Sequence, residues 1–153
     1  MVEAQTKNRQ LVPAAEQITV QRALLAWLNQ YEGLPVRRIE YEFLAADRDG
    51  MALSTIQGAY KSRQYILGGY EAQYQFRVIY RAAPGNNNAR LAVDEALNGL
   101  AIWAEGRQDL PDLGDGRTAR RIQCISLASV LAVYDDGTAD SQVQMSMTYE
   151  VMP

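Results

Sequence analysis

Residues 68–107 read GGYEAQYQFRVIYRAAPGNNNARLAVDEALNGLAIWAEGR, and they contain the clearest periodic patterns of the chain. From 70 to 81, apolar and aromatic side chains alternate with mainly polar ones, which is the period of two expected for a half-buried strand. A Pro-Gly turn and three asparagines follow, and apolar residues then recur at helical spacing from Leu91 to Trp103. Asn88 is the predicted N-cap of this helix and Gly106 its predicted end. The stretch therefore predicts a strand and a helix joined by one short connection.

The chain before this stretch begins with a polar segment, 1–12, which is predicted to be a flexible N-terminal arm. A helix is predicted over 13–31, because Pro13 is tolerated in a first turn and apolar residues then recur about every 100° around one side. These apolar residues are Val20, Leu24, Trp27, Leu28 and Tyr31. Trp27 and its counterpart in the second helix, Trp103, are interpreted as core anchors, with exposed contacts for a partner as the alternative.

Strand signals fill the interval between the two helices. A strand is predicted over 37–46, followed by a turn at 47–50. Another is predicted over 52–57, and 59–67 is interpreted as either a further strand or an irregular edge segment. The glycine pair 68–69 predicts a hairpin turn into the strand at 70–81.

The C-terminal third predicts a loop and a second hairpin. Residues 108–118 are rich in Gly, Pro and Asp, which is typical of a loop. The segment 120–134 is apolar on both faces and is therefore predicted to be a strand buried on both sides. Residues 135–138 read DDGT, a turn signal, and 142–151 again alternates with a period of two.

Together these segments predict an α+β fold in the order α-β-β-β-α-β-β. Both helices are expected to pack on a mainly antiparallel sheet, with the face of 70–80 beneath them. Residues 13–153 are expected to form a single domain, since 153 residues of which 48% are hydrophobic can build one core.

Composition excludes several classes of function. The net charge is −3, so no overall attraction to nucleic acid or an anionic membrane is expected. No stretch approaches the roughly 20 apolar residues of a membrane span. Histidine is absent, which excludes catalysis that depends on a histidine base. The single cysteine, Cys124, excludes an intramolecular disulfide and is interpreted as a buried apolar residue rather than a reactive thiol.

Two acidic loops are the candidates for chemistry. Asp109, Asp112 and Asp115 are spaced by three, and 135–140 contains three aspartates and a glycine. The calcium-binding EF-hand needs a glutamate at loop position twelve, where Met147 stands here. A solvated loop and a plain hairpin turn are therefore the preferred interpretations, and a small-molecule- or metal-binding module remains the alternative function. No catalytic residue, metal ligand or cofactor is predicted.

The second helix also predicts a subunit contact. Its core stripe consists of Val93, Ala96, Leu97, Leu100 and Trp103. Leu91 and Ile102 point to the opposite side, among charged and polar residues, and are either ordinary exposed residues or part of an oligomer interface. The strand at 142–151 is expected to supply an edge that a neighbouring chain could extend. Two short basic clusters, at 37–38 and 117–121, are interpreted as solvated or as partners for acidic loops of another protein.

Three segments carry a resemblance to a known family: RALLAWLN at 22–29, LSTIQG at 53–58 and GYEAQYQFRVIY at 69–80. Together with the Asn-capped helix that follows, they resemble the small minor capsid proteins of tailed bacteriophages and prophages, and are similar to tail terminators. The resemblance spans about residues 15 to 152, and its motifs are structural rather than catalytic.

The resemblance implies a non-enzymatic virion subunit, assembled in the cytoplasm of the bacterial host. Such subunits form a homo-oligomeric ring, commonly hexameric, at the head-proximal end of the tail. The implied partners are the major tail tube protein and the head-tail connector protein. DNA is expected to pass through the ring without specific binding, and no catalytic position is carried over.

Overall fold

The computed structural model describes residues 10–46 and 48–153. These residues form two helices, α1 (Ala14–Leu28) and α2 (Asn87–Gly106). They also form five strands, which are, in chain order, β1 (Ile39–Tyr41), β2 (Gly50–Gln64), β3 (Tyr70–Ala82), β4 (Arg117–Val133) and β5 (Ala139–Val151). The predicted α+β fold and the order α-β-β-β-α-β-β are confirmed.

The described strands form one sheet in the order β1-β2-β3-β5-β4. β1 runs parallel to β2 and every other neighbouring pair is antiparallel, which confirms the prediction of a mainly antiparallel sheet. The predicted glycine turn closes the β2–β3 hairpin, since Gly68 and Gly69 both adopt positive φ, 94° and 77°. One edge of the sheet is therefore β4, and the other is β1 together with the part of β2 beyond Leu53.

Strand β3 alternates as predicted and lines the core. Tyr74, Phe76 and Val78 are fully buried on one face, whereas the residues between them are half-buried. The register places these three side chains opposite Met147, Met145 and Val143 of β5. Burying a side chain of this size contributes about 1.5–3 kcal/mol. Both helices cover this face, through the buried side chains of Val20, Leu24, Leu28, Leu97 and Leu100.

The two helices meet through their tryptophans. The ring centroids of Trp27 and Trp103 lie 4.8 Å apart. Trp27 is buried and its indole N–H donates to the carbonyl oxygen of Asp109 (2.9 Å), while Trp103 is half-buried against the same core. The interpretation of both residues as core anchors is thus confirmed. Neither helix in the described ranges has the length and apolar character needed to cross a bilayer.

The prediction of a strand over 37–46 was wrong in extent, because pairing stops at Tyr41. Glu42 has a φ of 53°, a left-handed conformation that ends the strand, and Phe43 beyond it is 59% exposed. The amide of Asn29 holds the short strand against the end of α1, accepting from Ile39 N (2.7 Å) and donating to Ile39 O (3.1 Å). Of the predicted turn at 47–50, Asp47 lies outside the described residues.

The weak signals at 52–57 and 59–67 belong to one long strand, β2, whose register with β3 shifts three times. Irregular pairing of this kind blurs the period of two in the sequence. Part of the predicted N-terminal arm is held by this strand, since Val12 N donates to Ala59 O (3.1 Å) and Lys61 N donates to Gln10 O (2.8 Å). The rest of that arm, 1–9, lies outside the described residues.

The N-cap of α2 is Asn86 rather than the predicted Asn88. The side-chain oxygen of Asn86 accepts from Ala89 N (2.9 Å), and its own backbone is extended. Three consecutive asparagines offered the same capping chemistry, and the first of them takes the role because the helix begins at Asn87. The predicted end at Gly106 is confirmed.

The two C-terminal strands exchange the positions expected for them. The segment at 120–134 was predicted to be buried on both faces, but β4 is an edge strand and most of its large apolar residues are exposed. The exposed residues of this segment are Ile125, Leu127, Val130, Leu131, Val133 and Tyr134. Conversely, β5 was expected to offer a free edge, but it lies between β3 and β4. An apolar strand at the edge of a sheet has the same composition as one in its interior, so only the pairing of the strands shows which position it takes.

Candidate functional site

One flank of the molecule combines α2 with the edge strand β4. Leu91, Asn98, Ile102 and Glu105 follow one another at spacings of seven, four and three, which places them on one side of the helix. Asn98 Oδ1 accepts from Ala128 N (2.8 Å) and Glu105 Oε2 accepts from Cys124 N (2.9 Å). This side of α2 therefore lies along the edge of β4.

Leu91 and Ile102 lie on the same side of α2 as Asn98 and Glu105, and this is the side that runs along the edge of β4. Their side chains are 58% and 66% exposed, as expected from the sequence for residues on the outer side of the helix. We define the α2–β4 flank by Leu91, Ile102, Ile125, Leu127 and Leu131.

The exposed residues of β4 in this flank come from irregular positions in its pairing. The register with β5 shifts between Cys124 and Ser126, between Ser126 and Ser129, and between Val130 and Ala132. Ile125, Leu127 and Leu131 lie within these shifts. A bulge leaves a residue without a partner on the neighbouring strand and disturbs a flat edge.

Both edges of the sheet are closed to the addition of another strand at several points. On β4, Asn98 and Glu105 occupy two outward N–H groups, as described above. On β2, beyond the short strand β1, Glu42 Oε2 accepts from Thr55 N (3.1 Å) and Gln17 Oε1 accepts from Ala59 N. Because these donors are already satisfied, a neighbouring chain would contact the edges mainly through side chains.

A cleft of about 680 Å³ lies at the opposite edge of the sheet. We define the β1-side cleft by Arg37, Arg38, Phe43, Leu44 and Arg48, which contribute to its lining together with neighbouring residues. Arg38 is paired with a glutamate of β1, Glu40 (2.7 Å). Arg37 and Arg48 are exposed and form no ion pair with any residue in the described ranges.

The two surfaces differ in charge. The side of α2 that faces β4 carries Asp94 and Glu105, with Glu95 and Arg90 at its two margins. β4 itself carries no charge from Ile122 to Val133. The lining of the cleft contains three arginines and two acidic residues, one of which is Glu40. The α2–β4 flank is thus apolar and acidic, whereas the β1-side cleft is partly apolar and basic.

The aspartates of the two acidic loops, for which metal binding was only the alternative interpretation, form local hydrogen bonds. Asp112 Oδ1 accepts from Gly114 N (3.0 Å) and Asp136 Oδ1 accepts from Thr138 N (2.9 Å). The hydrogen bond from Arg107 lowers the pKa of Asp109, and the bond from Thr138 N–H lowers that of Asp136. Within 10–46 and 48–153, no three His, Cys, Asp or Glu side chains come together as a metal site.

Cys124 is half-buried against the core. Burial raises the pKa of its thiol, and the negative charge of Glu105 adds to the effect. A raised pKa lowers the fraction of reactive thiolate at neutral pH, in agreement with the interpretation of this residue as unreactive.

A buried carboxylate, Glu16, was missed by the sequence analysis. It is 6% exposed and accepts hydrogen bonds from the hydroxyls of Tyr70 (2.5 Å) and Tyr149 (2.8 Å), with Arg117 Nε at 3.7 Å. Burial, followed by the bond to Glu16, raises the pKa of both tyrosines. The signal that could have revealed it is spacing, because Glu16 lies one turn before Val20 in the apolar stripe of α1. These contacts fix the start of α1 to three strands.

A second polar network lies beside the β1-side cleft. Arg81 binds both carboxylate oxygens of Asp140 (2.7 and 2.9 Å), and Tyr134 OH donates to the same carboxylate (2.7 Å). Arg81 Nη1 also reaches the carbonyl of Leu44 (3.5 Å), at the limit of a hydrogen bond. Burial acts to raise the pKa of Asp140, but the hydrogen bonds from Arg81 and Tyr134 outweigh it, and the pKa lies below its usual value.

Asp140→Asn is expected to lower the free energy of unfolding at neutral pH by about 1–3 kcal/mol, because a bond to a charged group is lost. The folded-state pKa is depressed, so the stabilisation is present above the unfolded-state pKa of about 4 and is lost as pH falls through the folded-state value. Urea unfolding at several pH values should therefore show the two proteins converging in acid. Asp115→Asn, in an exposed loop, is the control, and a difference that stays constant with pH would contradict the prediction.

Comparison with known proteins adds no assignment: no protein-family model matches the chain, and neither does any curated protein.

Proposed function

We propose that this chain is a structural assembly protein of a phage or prophage tail, resembling a tail terminator, which forms a ring that caps the tail tube and joins it to the head-side connector. One observation carries the proposal: the opposite edges of the sheet present two different surfaces, the apolar α2–β4 flank and the β1-side cleft. A closed ring of identical subunits requires two distinct and complementary patches on each copy.

The exposed apolar area supports an association role in particular. Single exposed apolar residues are ordinary, but the α2–β4 flank groups five of them along one edge. Each square ångström of such surface removed from water contributes about 25 cal/mol. Covering this flank by another chain would therefore be favourable, because it would remove apolar surface from water that the isolated subunit leaves exposed.

The place of the ring in the virion follows from the sequence resemblance. In that role the ring, commonly a hexamer, lies at the head-proximal end of the tail, contacts the major tail tube protein on one side and the connector protein on the other, and stops tube polymerisation. DNA passes through it, and the net charge of −3 favours passage over binding. Genes for a major tail protein and a tape-measure protein are expected immediately downstream.

The test is self-association of the purified chain, measured by sedimentation over a range of concentrations, alone and with tail tube protein. Leu91→Glu and Ile102→Glu are each expected to weaken association at least about tenfold, since 1.4 kcal/mol suffices for that change. Thermal unfolding should stay close to that of the wild type, because both side chains are exposed in the subunit.

Ile66→Glu is the matched control, since Ile66 is fully exposed in the turn between β2 and β3 and belongs neither to the α2–β4 flank nor to the lining of the β1-side cleft. It should leave self-association unchanged. Unfolding of the Leu91 and Ile102 variants would instead assign these residues to the core. A chain that remains monomeric at high concentration and ignores tail tubes would contradict the proposed function.

A further inference from the structure

The α2–β4 flank and the β1-side cleft lie at opposite ends of the strand order. Four strand spacings of about 4.8 Å separate β1 from β4, so the two edges are roughly 19 Å apart across the sheet. A contact between the flank of one copy and the cleft of another leaves a free flank and a free cleft on the pair. Such a contact can continue from copy to copy until the chain of subunits closes.

Charge favours this pairing over contacts between identical surfaces. Two flanks brought together would bring Asp94, Glu95 and Glu105 of one copy close to the same acidic residues of the other, with Arg90 as the only basic residue of α2. Two clefts brought together would oppose Arg37 and Arg48, which lack an ion-pair partner in the described part of the chain. Placing like charges against each other is unfavourable, whereas flank against cleft brings acidic residues to arginines.

The apolar residues of the two surfaces also suit one another. Phe43 is 59% exposed in the cleft, beside Leu44. Aromatic side chains are frequent anchors of protein interfaces when a partner excludes water around them. The exposed aliphatic residues of β4 provide such a partner surface, and the occupied N–H groups at both edges leave side chains to make the contact.

We infer that the α2–β4 flank of one subunit docks in the β1-side cleft of a second copy, with Phe43 packed against the aliphatic residues of β4 and with Arg37 and Arg48 facing the acidic side of α2. The inference rests on the proposed ring and identifies the contact that builds it.

Two variants, each blocked on one surface, test the contact. Leu127→Glu blocks the flank and leaves the cleft intact, and Phe43→Glu blocks the cleft and leaves the flank intact. Each variant alone should sediment as a monomer under conditions in which the wild type assembles. An equimolar mixture should give a dimer and nothing larger, because only one intact flank and one intact cleft can meet.

A second cleft variant keeps the test valid if Phe43→Glu fails to fold. The double substitution Arg37→Glu with Arg48→Glu changes only exposed side chains and is expected to weaken association at least about tenfold at low salt. Ile66→Glu again serves as the matched control and should assemble like the wild type.

The outcomes separate this inference from the proposed function. If both cleft variants assemble like the wild type, the inference is overturned while the ring is retained. If they dimerise through the flank alone, the inference is overturned and the contact is an isologous one, which by itself builds a dimer and no ring. Binding of duplex DNA is measured for the wild type and for the arginine variant. If the variant assembles like the wild type but no longer binds DNA that the wild type binds, the cleft faces nucleic acid and the inference is again overturned. A wild type that never associates, alone or on tail tubes, overturns the proposed function itself.

Discussion

Replacing Glu16 by alanine is expected to lower the free energy of unfolding by about 3–5 kcal/mol, because it removes a buried carboxylate and leaves the polar groups around it without their partner. The hydroxyls of Tyr70 and Tyr149 would lose their acceptor, and Arg117 would lose its nearest carboxylate. Unfolding in urea at neutral pH measures the effect. Glu16→Gln keeps an acceptor oxygen and should cost less.

Glu32→Ala provides the control for this experiment, since Glu32 is exposed just beyond α1. Its stability should stay within about 0.5 kcal/mol of the wild type, as is usual for surface positions. If Glu16→Ala were no more harmful than Glu32→Ala, the two tyrosines would be finding other partners. The contacts of Glu16 would then not be what fixes α1 to the sheet.

Gly69→Ala is expected to destabilise the protein by about 2–5 kcal/mol, combining backbone strain with a steric clash. The φ of +77° disfavours any residue with a Cβ. An ideal Cβ at this position would lie 2.5 Å from the carbonyl oxygen of Val151 and 3.1 Å from Pro153 N. These are backbone atoms, so no side-chain rotation can relieve the contact.

Gly137→Ala separates the two contributions to that loss. Gly137 has a φ of +87°, but nothing lies within 4 Å of an added Cβ. Its substitution should therefore cost only the strain of a left-handed conformation, about 1–2 kcal/mol. Equal losses for Gly69→Ala and Gly137→Ala in urea unfolding would mean that the end of β5 moves away without cost.

The predictions for Glu16 and Gly69 concern the same end of the sheet, and this end holds the N-terminal part of β4. Tyr70 and Arg117 are each paired with Val151, and Met152 N donates to Gly116 O (2.8 Å). β4 is an edge strand, so it is held in the sheet by β5 on one side only and by the two side-chain bonds from α2. Loosening this end would displace β4, and the α2–β4 flank would lose its shape.

Part of the candidate site could be predicted from the sequence. Helical spacing alone placed Leu91 and Ile102 on the side of α2 away from its core stripe, and both are exposed. Spacing could not show that this side runs along β4, because the position of β4 relative to α2 depends on the path of the loop 107–116 that connects them. The contribution of Ile125, Leu127 and Leu131 was missed for the same reason.

The cleft could not be predicted at all. The sequence favoured a continuous strand over 37–46, and the conformation of Glu42 that ends pairing at Tyr41 has no composition signal. The arginines at 37–38 were noted as a short basic cluster, but their position at the edge opposite β4 follows only from the strand order. Spacing could have placed Glu16 on the apolar side of α1, but it could not identify Tyr70 and Tyr149 as its partners, because they are distant in the chain.

The local features could be read from the sequence: the alternation of β3, the apolar stripes of α1 and α2, the glycine turn at 68–69 and the order of the elements. These follow from side-chain period and turn chemistry, which act over a few residues. Only the tertiary structure decided which strands became edges, since an apolar strand reads the same in the middle of a sheet as at its border. The stretch 68–107 thus supplied the central strand and one helix of the core, whereas the pairing of β5 between β3 and β4 left β4 at the border with most of its large apolar residues exposed.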